Sequence, residues 1–136
     1  MEKPKIRNEV RPRKVKSQGS RNRTAGHNYE RQLAAEFREM GDLRCRTSRQ
    51  ASRLLDDCKV DLSSYFVNVQ AKFVAANIDY LTLLRDIKAK LVEDMPERAE
   101  LPIMVFHKRN RSELVIMTKA DLYKMLPAYK KQIDDN

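Results

Sequence analysis

Apolar residues first recur at helical spacing at Tyr29, Leu33, Phe37 and Met40, and Gly41 then supplies a stop. The spacing predicts a helix over residues 28–40. Beyond Gly41-Asp42, the run Leu43-Arg44-Cys45-Arg46-Thr47 alternates apolar with polar as a strand does. Residues 48–58 are polar and rich in serine and arginine, which reads as a loop. A short strand is expected at 59–62, a turn at Ser63-Ser64, and the clearest strand of the chain at 66–73. Along it Val67, Val69, Ala71 and Phe73 share one face and Asn68, Gln70 and Lys72 the other.

A second helix begins near Asn77 or Asp79, either of which can cap it. Its apolar stripe is Tyr80, Leu84, Ile87 and Leu91, and Pro96 lies beyond its end. Strands at 103–107 and 113–117 flank the basic turn Lys108-Arg109-Asn110-Arg111. Thr118 with Asp121 three positions on resembles a capping box, with Asp where Glu is preferred. The last helix, over 119–126, presents Leu122, Met125 and Leu126. The order helix, three strands, helix, two strands, helix gives an α/β fold with a mixed sheet flanked by helices.

Composition sharpens this picture. At 136 residues the chain has room for one compact domain, and 41% hydrophobic residues suffice for a modest core. A net charge of +9 favours a polyanionic partner, because each Lys or Arg set on a phosphate releases counterions. Residues 1–26 hold nine basic residues, Arg21 and Arg23 among them, against Glu2 and Glu9, so seven of the nine net charges lie there. With so few apolar residues this segment reads as a flexible basic arm ahead of a domain at 27–136. It suits either DNA-backbone contact or a solubilising tail. Cys45 and Cys58 are too few for a disulfide framework and suit a reducing compartment. No apolar run approaches the ~20 residues of a membrane helix, and the basic N-terminus lacks the apolar stretch of a secretory signal. A cytoplasmic protein is expected.

The residues with the most chemistry are Asp61 and, nine positions on, Gln70-Ala71-Lys72. A hairpin between their strands brings residues 61 and 70 together, and Lys72 shares a face with Gln70. An aspartate, an amide oxygen and an ammonium make a plausible site for metal-assisted phosphodiester hydrolysis. Mg²⁺ prefers hard oxygen ligands, and a bound cation activates water and offsets charge developing on phosphate.

Asp61 and Gln70-Ala71-Lys72, preceded by a helix bearing Glu30, resemble the PD-(D/E)xK nuclease arrangement. The order of elements from residue 26 to about 126 is similar to that of archaeal-type Holliday junction resolvases and related phage proteins. The resemblance implies a restriction-endonuclease-like core. It makes Asp61 a metal ligand, places Gln70 where Glu or Asp is usual, and adds the Ala71 backbone carbonyl. Lys72 assists the water nucleophile or the transition state, and Glu30 reaches the metal directly or through water. Gln70 removes one negative charge from the motif, which Asp57 or Asp56 can replace. The implied cofactor is Mg²⁺, with Mn²⁺ as a substitute. The implied function is a structure-selective DNA endonuclease, a Holliday junction or branched-DNA resolvase, acting as a homodimer because a four-way junction needs paired cuts.

Plainer readings stand beside these. Glu30 in a first helical turn is favoured by the helix dipole in any case, although a carboxylate beside the apolar stripe needs a partner. Asp61 can simply end a strand, and Lys72 can face solvent. Arg44, Arg46, Arg49, Arg53 and Lys59 suit phosphate contacts or a solvated face alike, and so do Ser48 and Ser52. Cys58 reads as a small buried thiol, and neither His27 nor His107 is assigned a role. Two other functions fit the same fold, a nickase of ordinary duplex and a catalytically inert DNA-binding module.

Overall fold

The computed structural model describes residues 17–135. Helix α1 (Gln18–Glu39) precedes a two-residue strand, β1 (Arg46–Thr47), and two short helices, α2 (Ser48–Ala51) and α3 (Arg53–Asp57). Strands β2 (Leu62–Ser63) and β3 (Asn68–Phe73) follow, then helix α4 (Tyr80–Asp94) and a 3₁₀ turn at Pro96–Arg98. Strands β4 (Ile103–Arg109) and β5 (Ser112–Ile116) lead into helices α5 (Lys119–Met125) and α6 (Pro127–Asp134). The strands form one mixed sheet in the order β1-β2-β3-β4-β5. The α4 crossover makes β3 and β4 parallel, and every other neighbouring pair is antiparallel. The class and the number of strands agree with the hydrophobic pattern. The strand expected at 59–62 is instead Leu62–Ser63, because Lys59 and Val60 close the preceding helix. Ser63, expected in a turn, pairs with Arg46.

Helices cover both faces of the sheet. On one face α1 sets Tyr29, Leu33, Ala34 and Phe37 against Leu62, Val67, Val69 and Met104. On the other, α4 sets Leu84, Ile87 and Leu91 against Val60, Ile103 and Val105, joined by Leu55 and Cys58. Ile87 and Leu91 are fully buried, and burying each stabilises the fold by about 1.5–3 kcal/mol. Asp79 caps α4, its carboxylate accepting from Thr82 N (3.1 Å).

Four further details depart from the sequence reading. First, α1 begins at Gln18, capped by the Ser17 hydroxyl accepting from Ser20 N (3.1 Å). The boundary set at residue 26 therefore falls inside a helix; residues 1–16 of the arm lie outside the described residues. Gly26 is accommodated on this solvent-facing turn at a cost of about 1 kcal/mol relative to alanine. Second, the strand expected at 43–47 is only Arg46–Thr47, because a turn closed by Cys45 N to Asp42 O (3.0 Å) occupies its beginning.

Third, the expected loop at 48–58 contains α2 and α3. Ser52 caps α3 by accepting from Leu55 N (3.2 Å), and Leu55 and Cys58 pack into the α4-side core. A Schellman closure ends α3: Val60 N donates to Leu55 O (3.2 Å) and Lys59 N to Asp56 O (3.0 Å), with Lys59 at φ +67°. Leu55 and Val60, the two ends of the wider bond, belong to the same core cluster. Fourth, the chain does not leave its helical path at Leu126. Pro127 starts α6 at a position where no backbone N–H is needed. Thr118 caps α5 (Asp121 N to Oγ1, 3.1 Å), but Asp121 does not complete a box; its carboxylate accepts from Ile103 N (3.0 Å) and ties α5 to β4.

Candidate active site

The Schellman closure after α3 delivers Asp61 to the sheet. Asp61 N donates to Val69 O (2.6 Å) and Leu62 pairs with Val69, so the β2–β3 hairpin sets Asp61 beside Gln70 and Ala71. One carboxylate oxygen, Asp61 Oδ2, accepts from Gln70 Nε2 (2.6 Å) and from Ala71 N (2.7 Å). Gln70 Nε2 also donates to Ala71 O (3.2 Å). The proximity of 61 and 70, expected from a hairpin, is therefore present. Lys72 lies two residues on along the same face, half-buried and opposite His107 in register. Among the described residues its ammonium has no hydrogen-bond or ion-pair partner.

The site is short of positive charge. Burial raises the Asp61 carboxyl to about 7, with Glu30 and Asp56 pushing it in the same direction by repulsion. The Ala71 N–H and the Lys72 ammonium pull it the other way without prevailing. Of the two adjacent aspartates, Asp56 is the one whose charge acts on Asp61. Asp56 is partly buried, whereas Asp57 is exposed. Neighbouring residues on α3 point about 100° apart, so the two adjacent aspartates face different ways.

Glu30 has the buried position expected of it, 5% exposed. Its partner is Arg49, which the sequence left between a phosphate contact and a solvated face. A single guanidinium nitrogen of Arg49 reaches both Glu30 oxygens at 3.2 Å. Ser48 N donates to Asp61 O (2.7 Å), fixing the start of α2 against the same hairpin and so placing Arg49. The Ser48 hydroxyl is buried without a partner among the described residues, while Ser52 serves as the α3 cap. Lys59 is within 3.8 Å of Asp86 on the surface. Arg21, Arg23, Arg44, Arg46 and Arg53 are exposed and form no ion pair among the described residues. Comparison with protein families, curated proteins and solved structures yields no match.

The geometry around Asp61 fits a hard divalent cation. No group of three or more His, Cys, Asp and Glu that could hold a metal ion occurs among the described residues. A cation here would need a mixed oxygen set, with the Asp61 carboxylate, the Ala71 carbonyl, the Gln70 amide oxygen and Glu30 as its candidates. The amide nitrogen of Gln70, the positive end of its dipole, sits between Asp61 Oδ2 and Ala71 O. Rotating the amide by half a turn directs its oxygen to the same point, giving three hard oxygens of the kind Mg²⁺ prefers. Excess negative charge around Asp61 supplies the electrostatic demand.

His107, which the sequence pattern leaves without a role, has a structural one. A carbonyl can only accept, so His107 Nε2 donates to Val74 O (2.9 Å) and Nδ1 accepts from the Tyr80 hydroxyl. Both cysteines are free and fully buried. Burial pushes the Cys45 thiol up to about 11 and raises Cys58 as well, so neither is poised as a nucleophile.

Proposed function

We propose that this chain is a metal-dependent DNA endonuclease with a restriction-endonuclease-like core, selective for branched or four-way junction DNA. The observation that carries this reading is the cluster of Asp61, Gln70 and the Ala71 carbonyl beside Lys72, which is unpaired among the described residues. Asp61, Gln70 and Ala71 would hold Mg²⁺ or Mn²⁺, with Glu30 supporting directly or through water. When bound, the cation supplies a lowered water pKa and a counter-charge for the phosphate.

The chain's own side chains then have distinct tasks. Asp61, anchored by its own N–H to Val69 O and by Ala71 N to Oδ2, fixes the direction of the donor set. The Lys72 ammonium, unencumbered by a carboxylate, is available to the attacking water or to the non-bridging phosphate oxygens. The exposed Arg44, Arg46 and Arg53 beside the site, with Arg21 and Arg23 on α1, hold the DNA backbone without reading its bases. Paired cuts on a junction would require a homodimer with one site per protomer. No helix among the described residues is long and apolar enough to cross a membrane.

The deciding experiment is cleavage of a labelled four-way junction beside matched linear duplex in Mg²⁺, Mn²⁺ and EDTA. Metal-dependent paired cuts in the junction alone support the reading. Cutting of both substrates makes the chain a duplex nickase. Binding without cutting makes it an inert DNA-binding module, in which the present Gln70–Asp61 hydrogen bond is the resting state.

A further inference from the structure

We infer that Arg49 is an exchangeable latch on Glu30, released from the carboxylate when a DNA phosphate arrives, so that metal and DNA bind cooperatively. The inference deepens the metal-dependent nuclease reading and rests on it.

Three observations carry it. The Glu30 carboxylate is buried, and both its oxygens are engaged by one Arg49 nitrogen at 3.2 Å. The Arg49 side chain remains 44% exposed, carried by a four-residue helix beside Arg46 and Arg53, which make no ion pair among the described residues. Ser48 N donates to Asp61 O (2.7 Å), so Arg49, the next residue, and the Glu30 carboxylate it holds lie on the flank of the segment that carries Asp61. A buried carboxylate that stays ionised needs a counter-charge. Without metal, the guanidinium provides it. A divalent cation would take over that role and repel the guanidinium, which then becomes the strongest available fork for a phosphate. DNA binding in turn draws Arg49 outward and leaves Glu30 in need of the cation. Each ligand thereby raises the affinity of the other by the same factor, as linkage demands.

The test is a double-mutant cycle on the full chain with two readouts, neither of which is activity. In calorimetric titration with Mn²⁺ alone, Arg49→Gln binds at least about fivefold more tightly than wild type, the low end of typical coupling. In EDTA, where no cutting occurs, Glu30→Gln binds a four-way junction more tightly than wild type, because Arg49 is already free. Both gains vanish when the partner position is also changed, which separates release of the latch from a simple change in net charge. Tighter binding in each single variant and its loss in the double variant establish the latch. Wild-type binding of Mn²⁺ with no gain in Arg49→Gln, or weaker junction binding by Glu30→Gln, overturns the latch alone. Failure of the wild-type chain to bind Mn²⁺ at all overturns the latch together with the metal-dependent reading. Should Arg49→Gln not fold, Arg49→Lys retains the charge without the planar fork, and the Glu30→Gln arm still decides.

Discussion

Asn68 and Gln70 are two buried carboxamides on the same face of β3, two residues apart, and their surroundings are opposite in kind. Asn68 Nδ2 donates to Arg98 O (3.0 Å) and Leu101 O (3.3 Å), and its oxygen accepts from Arg98 Nε (3.0 Å). Arg98 also donates to Val67 O (2.9 Å), so its fork is met by neutral acceptors. Every group there has a partner, and the network fastens β3 to the turn that precedes β4. Gln70 instead faces the Asp61 carboxylate, on which the charges of Glu30 and Asp56 act, with a lysine two residues along β3 that is unpaired among the described residues. A satisfied polar network holds a fold together; an electrostatically unsatisfied one is where chemistry is expected.

The comparison can be broken most severely at Asp61 and Lys72. Asp61→Ala and Lys72→Ala each lower junction cleavage by about 10²–10³-fold or more while junction binding persists, as a gel-shift in EDTA beside the cleavage assay would reveal. Parallel loss of binding would instead give these residues a folding or DNA-contact role. The next effect is on pH. The folded-state value of Asp61 lies above its ordinary 3.8, so the native state holds that proton more tightly than the unfolded chain. Its contribution is full below about pH 4 and declines as pH rises to about 7, by up to about 1.4 kcal/mol per pH unit. Asp61→Asn removes the slope, so denaturant midpoints that fall with pH in wild type stay level in the variant across this window.

A smaller effect is expected at the satisfied end. Asn68→Ala strands the Arg98 Nε–H and two carbonyls, and stability falls by about 1–3 kcal/mol with Mn²⁺ affinity unchanged. A change in metal affinity of the same size would erase the distinction between the two carboxamides. The mildest test lies at the N-terminus. Removing residues 1–16 leaves α1 intact and weakens junction binding, with a salt dependence flatter by about 0.9 for each phosphate the arm would otherwise neutralise. An unchanged slope excludes the arm as a backbone contact.

The contrast between α1 and α3 marks what the sequence could reveal. Both helices end in the same Schellman closure. After α1 the left-handed residue is Gly41 at φ +112°, with Asp42 N donating to Phe37 O (3.0 Å). After α3 that residue is Lys59. Glycine announces such a stop and lysine does not, so the first helix end is legible while α3 reads as loop. The α3 segment is also too short for helical periodicity to stand out among its charges. Strand alternation makes the Gln70–Lys72 face legible, and hairpin geometry makes the Asp61–Gln70 contact legible. No local signal could pair Arg49 with Glu30, since a contact across 19 positions depends on how α2 docks on the hairpin.

Neither α5 nor α6 contains a buried residue. α5 is at least held by Asp121 to Ile103 N and by Lys124 to Glu100 O (2.8 Å). Their amides will therefore open in a low-energy unit of their own, well before those of β3 and β4, whose protection should approach that of global unfolding. α6 can be trimmed or extended with little effect on the sheet that holds Asp61 and Lys72, whereas loss of α5 strands the buried Ile103 N–H.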